Sequence, residues 1–168
     1  MSQGNLHSNE VYIQGYASVF RCVDQAQDII KEGAFKETIT QRNYPIKLLW
    51  QHDAANPIGS IIHIKEDNYG LFIKATITNH TQIGREATEL IKSGIVSGLS
   101  VGIVPKKFST NQKGYNEISE AILYEISVVT FPANLYAKIE SIQDKPNTDN
   151  LVQLISSAKS LKLSLSAH

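Results

Sequence analysis

Three side chains in this sequence have the types that acyl transfer requires. Ser100 stands in Val96-Ser97-Gly98-Leu99-Ser100-Val101-Gly102-Ile103-Val104, a serine between two glycines within a run of β-branched residues. A serine hydroxyl is a weak nucleophile until a base removes its proton. Histidine is the usual base because its unperturbed pKa lies near neutrality, and His52 ends the apolar run Leu48-Leu49-Trp50-Gln51-His52-Asp53. The flanking Gly98 and Gly102 let a backbone or a substrate approach the hydroxyl closely. Glu125 is the one carboxylate in the otherwise apolar stretch Leu123–Val129. A carboxylate there needs a partner, and orienting a histidine supplies one. The three are read together as one catalytic constellation.

Each residue also has a plainer reading. Ser100 alone is a small strand residue, His52 a surface residue at a strand end, and Glu125 a solvent-facing strand residue paired with a lysine. Asp53 rivals Glu125 as the third member, although adjacent strand residues point to opposite faces. His63 rivals His52 from a neighbouring strand. Ser97, three residues before Ser100, falls on the other face of a regular strand and is read as structural. Backbone N–H groups near Val101 and Gly102 are candidate oxyanion donors by proximity, and Arg85 or Arg42 are side chains that would assist. Cys22 is the only cysteine, so no intrachain disulfide forms, which suits a reducing compartment. His7, His80 and His168 have no metal-ligand spacing. With no phosphate-binding loop and no dinucleotide fingerprint, no cofactor is expected.

At 168 residues the chain forms one domain, or one domain and a tail, with enough length to bury a real core. Sixteen basic residues balance sixteen acidic ones, which removes the electrostatic case for nucleic acid or an anionic membrane. No apolar run is long enough to span a bilayer. The polar start, Met1-Ser2-Gln3-Gly4-Asn5, has no signal-peptide core, so an intracellular, soluble protein is the default expectation.

Residues 1–10 read as a flexible N-terminus. Alternation from Val11 to Phe20 predicts a strand. Cys22–Glu32 reads as a polar excursion, and Gly33–Ile39 as a short helix ended by Asn43-Tyr44-Pro45. Ile46–Gln51 is a short buried strand with His52 at or just past its end, followed by a turn over Asp53–Pro57. Ile58–Ile64 and the alternating Leu71–Ile77 are a hairpin turned by Glu66–Gly70. Ile83, Ala87, Leu90 and Ile91 make an amphipathic helix over Gln82–Ser93, stopped by Gly94. The Ser100 strand follows. Glu117–Val129 is a long strand, and Leu135–Ile142 reads as a short helix. Residues 143–168 are a polar linker and an amphipathic C-terminal helix, leaving 11–142 as the folded domain. Many short strands with few helices argue for a mainly β, α+β domain built as a β-barrel or mixed sheet, not βαβ units.

Taken in order, these stretches resemble the prohead protease family of tailed bacteriophages, typified by HK97-like maturation proteases. The residues that carry the resemblance are Gly15–Phe20, Gly33-Ala34-Phe35, Leu48–Asp53 with Pro57-Ile58-Gly59, Gly70-Leu71, Ser97–Gly102, and Glu125–Thr130 with Pro132-Ala133-Asn134. The resemblance implies a fold akin to the herpesvirus assembly proteases, a closed or partly closed antiparallel β-barrel ringed by a few helices. It implies a protease domain, a serine endopeptidase with Ser100 as nucleophile, His52 as general base and Glu125 as third member. It implies a phage major capsid protein or scaffold protein as substrate, self-cleavage, and action in the bacterial host cytoplasm inside the immature capsid. The tail is then either a packed helix or a segment that docks on scaffold or is removed by self-cleavage. A homo-oligomer, a dimer by analogy with the herpesvirus enzymes, fits the same resemblance. The alternative is a non-catalytic capsid-assembly or scaffold module that keeps the fold; a small-ligand β-barrel has no motif in its favour.

Overall fold

The computed structural model describes residues 10–41 and 45–144. Of the linker and helix expected over 143–168, residues 145–168 therefore lie outside the described residues, as do Arg42 and most of the flexible N-terminus, while Gln143 and Asp144 belong to a strand.

Eight strands and two helices follow one another as β1 (Glu10–Val19), β2 (Asp28–Ile30), α1 (Lys36–Gln41), β3 (Lys47–Trp50), β4 (Asp53–Glu66), β5 (Gly70–Thr78), α2 (Gln82–Lys92), β6 (Gly98–Thr110), β7 (Asn116–Val129) and β8 (Lys138–Asp144). Their neighbours run β7-β3-β4-β5-β1-β8-β6, and β6 pairs again with β7, so seven strands close a barrel. Closure leaves no free edge around the ring, which is how such a sheet avoids adding further strands. The ladders are antiparallel except β3 on β7, which is parallel. β2 adds in parallel to the start of β7, outside the ring.

Alternation places the core. Val11, Ile13 and Ala17 from β1, Leu71, Ile73, Ala75 and Ile77 from β5, and Leu99, Leu123, Ile126 and Val128 from β6 and β7 are buried. Fully burying one such aliphatic side chain contributes about 1.5–3 kcal/mol. α2 plugs this core with Ala87 and Ile91, and Ile83 and Leu90 pack beside them. Its start is capped by Thr81, whose Oγ1 accepts from Gly84 N at 3.1 Å, and Gly94, at φ +74°, ends it.

Two local expectations give way. Leu135–Ile142 is not a helix: Lys138–Asp144 is β8, the strand that closes the barrel between β1 and β6. Ile139 and Ile142, three apart, look helical because of a bulge. Ser141 pairs with Gln14 and Ile139 with Gly15, so Glu140 is the extra residue and both isoleucines turn inward. Asp53–Pro57 lies within β4, yet its turn-like composition is real. Leu49 pairs with Pro57 and Trp50 with Asp53, so 54–56 bulge out of the ladder. The polar excursion after β1 also contains the three-residue β2.

Candidate active site

The strands decide which side chains meet. Ile126 and Val128 of β7 point into the core, so Glu125 and Ser127 point outward. In the β6–β7 ladder Ser100 pairs with Ser127 and Gly102 with Glu125. Directly paired residues share a face with Cβ atoms about 4.5–5.5 Å apart. Ser100 is therefore outward on β6, beside Ser127, and it is nearly buried.

His52 arrives from the other side of β7. β3 runs parallel to β7, with Leu49 opposite Ser127 and Trp50 opposite Val128. The chain then reverses through Gln51 and His52, and Trp50 pairs with Asp53. A two-residue hairpin turn with both central residues at positive φ matches the right-handed twist of its strands. Here those residues have φ +55° and +60°, without the usual asparagine or glycine. The left-handed region costs an ordinary residue roughly 1–2 kcal/mol. Hydrogen bonds to the end of β7 hold the turn against that cost. Gln51 N donates to Val128 O at 2.9 Å, Gln51 Nε2 to Thr130 Oγ1 at 2.8 Å, and Thr130 N to Gln51 Oε1 at 3.1 Å.

The turn brings His52 Nδ1 to 2.6 Å from Glu125 Oε1. The His52 side chain keeps 44% of its surface exposed and Glu125 only 16%, so the carboxylate is the sheltered partner. Its other oxygen, Oε2, accepts from Ser127 Oγ at 2.7 Å, and that hydroxyl accepts from His52 N at 3.1 Å. A carboxylate on Nδ1 fixes the tautomer with its proton there and leaves Nε2 as the basic nitrogen.

Gly102 has a different use from the one its sequence position suggests. A Cβ built on it would collide with the Glu125 carboxylate, so the glycine opens room for the acid rather than for substrate. A Cβ on Gly98 would meet Val129 O at 2.6 Å and the Pro132 ring at 2.9 Å. Both glycines serve packing across the strand.

The remaining candidates lie elsewhere. Asp53 is used locally, accepting from Ala55 N at 2.8 Å and Asn56 Nδ2 at 2.6 Å. His63 pairs with Lys74 on the β4–β5 side of the barrel and lines a separate cavity with Ile61 and Ile62. Arg85 donates to Asn79 O at 3.0 Å. The Cys22 thiol lies 3.2 Å from Val19 O and 3.3 Å from Asn134 Nδ2. Ser97 is exposed, with its carbonyl on Ile139 N. Among the described residues no group of three or more His, Cys, Asp or Glu is set to hold a metal ion, and no helix is long and apolar enough to cross a membrane.

A cavity of about 190 Å³ opens beside Ser100 and Val101, walled by Ser18, Asp24, Asp28 and Asn134. Burial pushes the Asp24 carboxyl above its ordinary range, against the backbone N–H groups of Asp28 and Ala26 that bond it. Leu99 N donates to Ala137 O on the side away from β7, and by strand alternation the Val101 N–H points to that same side. Among the described residues, β8 pairs with β6 only at Gly98, so the Val101 N–H lies beyond that ladder.

Sequence reasoning singled out Ser100, His52 and Glu125, and the fold gathers all three around Ser127. Ser127 itself was passed over. The available signal was its spacing of two from Glu125, which puts both on one strand face.

Comparison with known proteins places this architecture. A sequence model of the family described as Caudovirus prohead serine protease matches residues 2–150. The chain is 31% identical over 138 residues to the prohead protease of Enterobacteria phage HK97, covering 77% of this chain and 59% of that protein. It is 34% identical over 129 residues to a capsid polyprotein of Pseudomonas phage PAJU2, covering 71% of this chain and 18% of the polyprotein. Thus it spans less than two thirds of the length of either relative. Among solved structures, the KSHV protease in complex with a hexapeptide phosphonate inhibitor superposes with a TM-score of 0.55 at 13% identity, over 81% of this chain and 66% of that one. The bacteriophage T4 capsid assembly protease gives 0.55 at 13%, over 70% and 80%. At that identity the likeness is one of fold.

Proposed function

The chain belongs to the caudovirus prohead serine protease family, and on that premise we propose that it is a serine endopeptidase of capsid maturation. The observation that carries the reading is the 2.6 Å contact of His52 Nδ1 with a sheltered Glu125, which shares a face of β7 with Ser127, the ladder partner of Ser100.

In this mechanism His52 Nε2 takes the Ser100 proton as Oγ attacks the scissile carbonyl carbon. The imidazolium, steadied by Glu125, returns that proton to the leaving amine as the C–N bond breaks. Water, deprotonated by Nε2, then attacks the acyl-enzyme and frees the new carboxyl and the Ser100 hydroxyl. The tetrahedral oxyanion needs preorganised donors, each worth about 3–4 kcal/mol. Of the two candidates, Val101 N–H is favoured by its direction away from β7, whereas Gly102 faces its partner Glu125 across the ladder.

The substrates in this reading are segments of the phage major capsid protein or scaffold protein, and the enzyme itself, cut inside the immature capsid in the bacterial host. The matching region within a phage capsid polyprotein supports a capsid partner. Co-expression of the chain with its neighbouring capsid or scaffold protein, followed by intact mass of every product, tests it. Cleavage by wild type and none by Ser100→Ala is expected. Equal cleavage by both would remove Ser100 as nucleophile, and none by either in assembled particles would favour the non-catalytic assembly module.

A further inference from the structure

We infer that Ser127 is a positioning residue that clamps His52 and Glu125 into register with Ser100; this rests on the endopeptidase reading above. A serine hydroxyl has one proton to give and lone pairs to accept with. Ser127 gives its proton to Glu125 Oε2 at 2.7 Å and accepts the His52 N–H at 3.1 Å. With the 2.6 Å contact of Nδ1 on Oε1, these bonds close a ring: His52 backbone, Ser127 hydroxyl, Glu125 carboxylate, His52 imidazole. The hydroxyl is 0% exposed, so water does not compete for either bond.

The ring matters because nothing local holds its two movable members. His52 sits at φ +60° on a turn tip, a conformation uncommon outside glycine although histidine tolerates it better than most. The other bonds that pin the turn go through Gln51, one residue away from the imidazole. Glu125 has a flexible side chain, and without a donor on Oε2 only the imidazole itself would orient it. Ser127 touches both the turn and the acid. It therefore sets the distance and direction from which the carboxylate meets Nδ1, and through that the tautomer of His52.

The test reads the tautomer of the His52 imidazole by nitrogen NMR at one pH in the full chain, for wild type, Ser127→Ala and Ser127→Thr. Labelling of Ser100 by a serine-directed fluorophosphonate is run in parallel. In that reaction Ser100 Oγ forms a bond to phosphorus, fluoride leaves, and the proton passes to His52. Wild type is expected to hold the proton on Nδ1. Ser127→Ala is expected to lose that preference, because the carboxylate no longer faces the ring squarely, and to label at least tenfold more slowly. Ser127→Thr keeps the hydroxyl and restores both. The proposal is overturned if Ser127→Ala keeps the wild-type tautomer and labelling rate, or if a folded Ser127→Thr fails to regain them. A wild-type chain that resists labelling while its His52 behaves as described would instead strike the serine-nucleophile reading and leave the clamp standing.

Discussion

At the scale of the residue, the site is governed by where small groups leave room and where single protons go. Gly102 is the plainest case, since the space a Cβ would take is filled by the Glu125 carboxylate. Gly102→Ala is expected to displace the acid and slow cleavage by roughly 10²-fold or more, with little overpacking cost, because what the Cβ would meet is the flexible Glu125 side chain and not backbone. Cleavage rates by intact mass beside urea unfolding would check this, and an alanine variant of undiminished rate would show that Glu125 is not held where the ladder puts it. Ser100, His52 and Glu125 were legible because their types are scarce in apolar strands. The uses of Gly102 and Ser127 were not, because each depends on a partner from a distant part of the chain: the β6–β7 register for one, the Gln51–His52 turn for the other.

At the scale of the element, the β3–β4 and β4–β5 turns position the two ends of β4. The second turn is tied to β1 by Tyr16, whose hydroxyl donates to Asp67 Oδ2 at 2.9 Å. Burial, that hydrogen bond and the Asp67 charge push the Tyr16 hydroxyl from 10.0 up to about 12. Burial pushes Asp67 up, but the N–H groups of Tyr69 and Gly70, the Tyr16 hydroxyl and Lys65 outweigh it and hold the acid below its usual value. The two shifts act at opposite ends of the pH scale. A raised folded pKa means that Tyr16 contributes its full stabilisation below pH 10.0 and loses it as pH climbs towards about 12. The depressed Asp67 contributes fully above the ordinary carboxylate range and loses it as pH falls through its folded value, below 3.8. The stability gap between wild type and Tyr16→Phe in urea should thus stay level through neutral pH and close above pH 10.0; a gap unchanged in strong alkali would contradict it. Helix α2 and the β4–β5 hairpin were readable from periodicity and turn chemistry. β8 was not, because a bulge at Glu140 gave a strand the spacing of a helix.

At the scale of the whole molecule, barrel closure brings the site together. β6 must lie beside β7 for Ser100 to face Ser127, and β8 is the strand that joins β6 to β1. A Cβ on Gly15 would strike the Lys138 carbonyl and lie 3.0 Å from Glu140 N, so Gly15→Ala is expected to pry β8 from β1. The cost should be about 1–3 kcal/mol, with faster hydrogen exchange of the amides that bond across the β1–β8 ladder. Wild-type protection and stability in that variant would mean the seam carries less of the closure than its packing implies. What the chain determined by itself was composition and local pattern: a mainly β domain, an amphipathic helix read over Gln82–Ser93, and a serine, a histidine and a glutamate placed in three apolar stretches. Those features depend on side-chain type and on periods of two or 3.6 residues, which need only neighbours in sequence. Only the tertiary structure decided that the ring closes with β3 parallel to β7, that His52 rides a left-handed turn, and that Gly102 and Ser127 hold Glu125 in place. Each of these is a contact between segments far apart in the chain, set by register and shared space that no local pattern encodes.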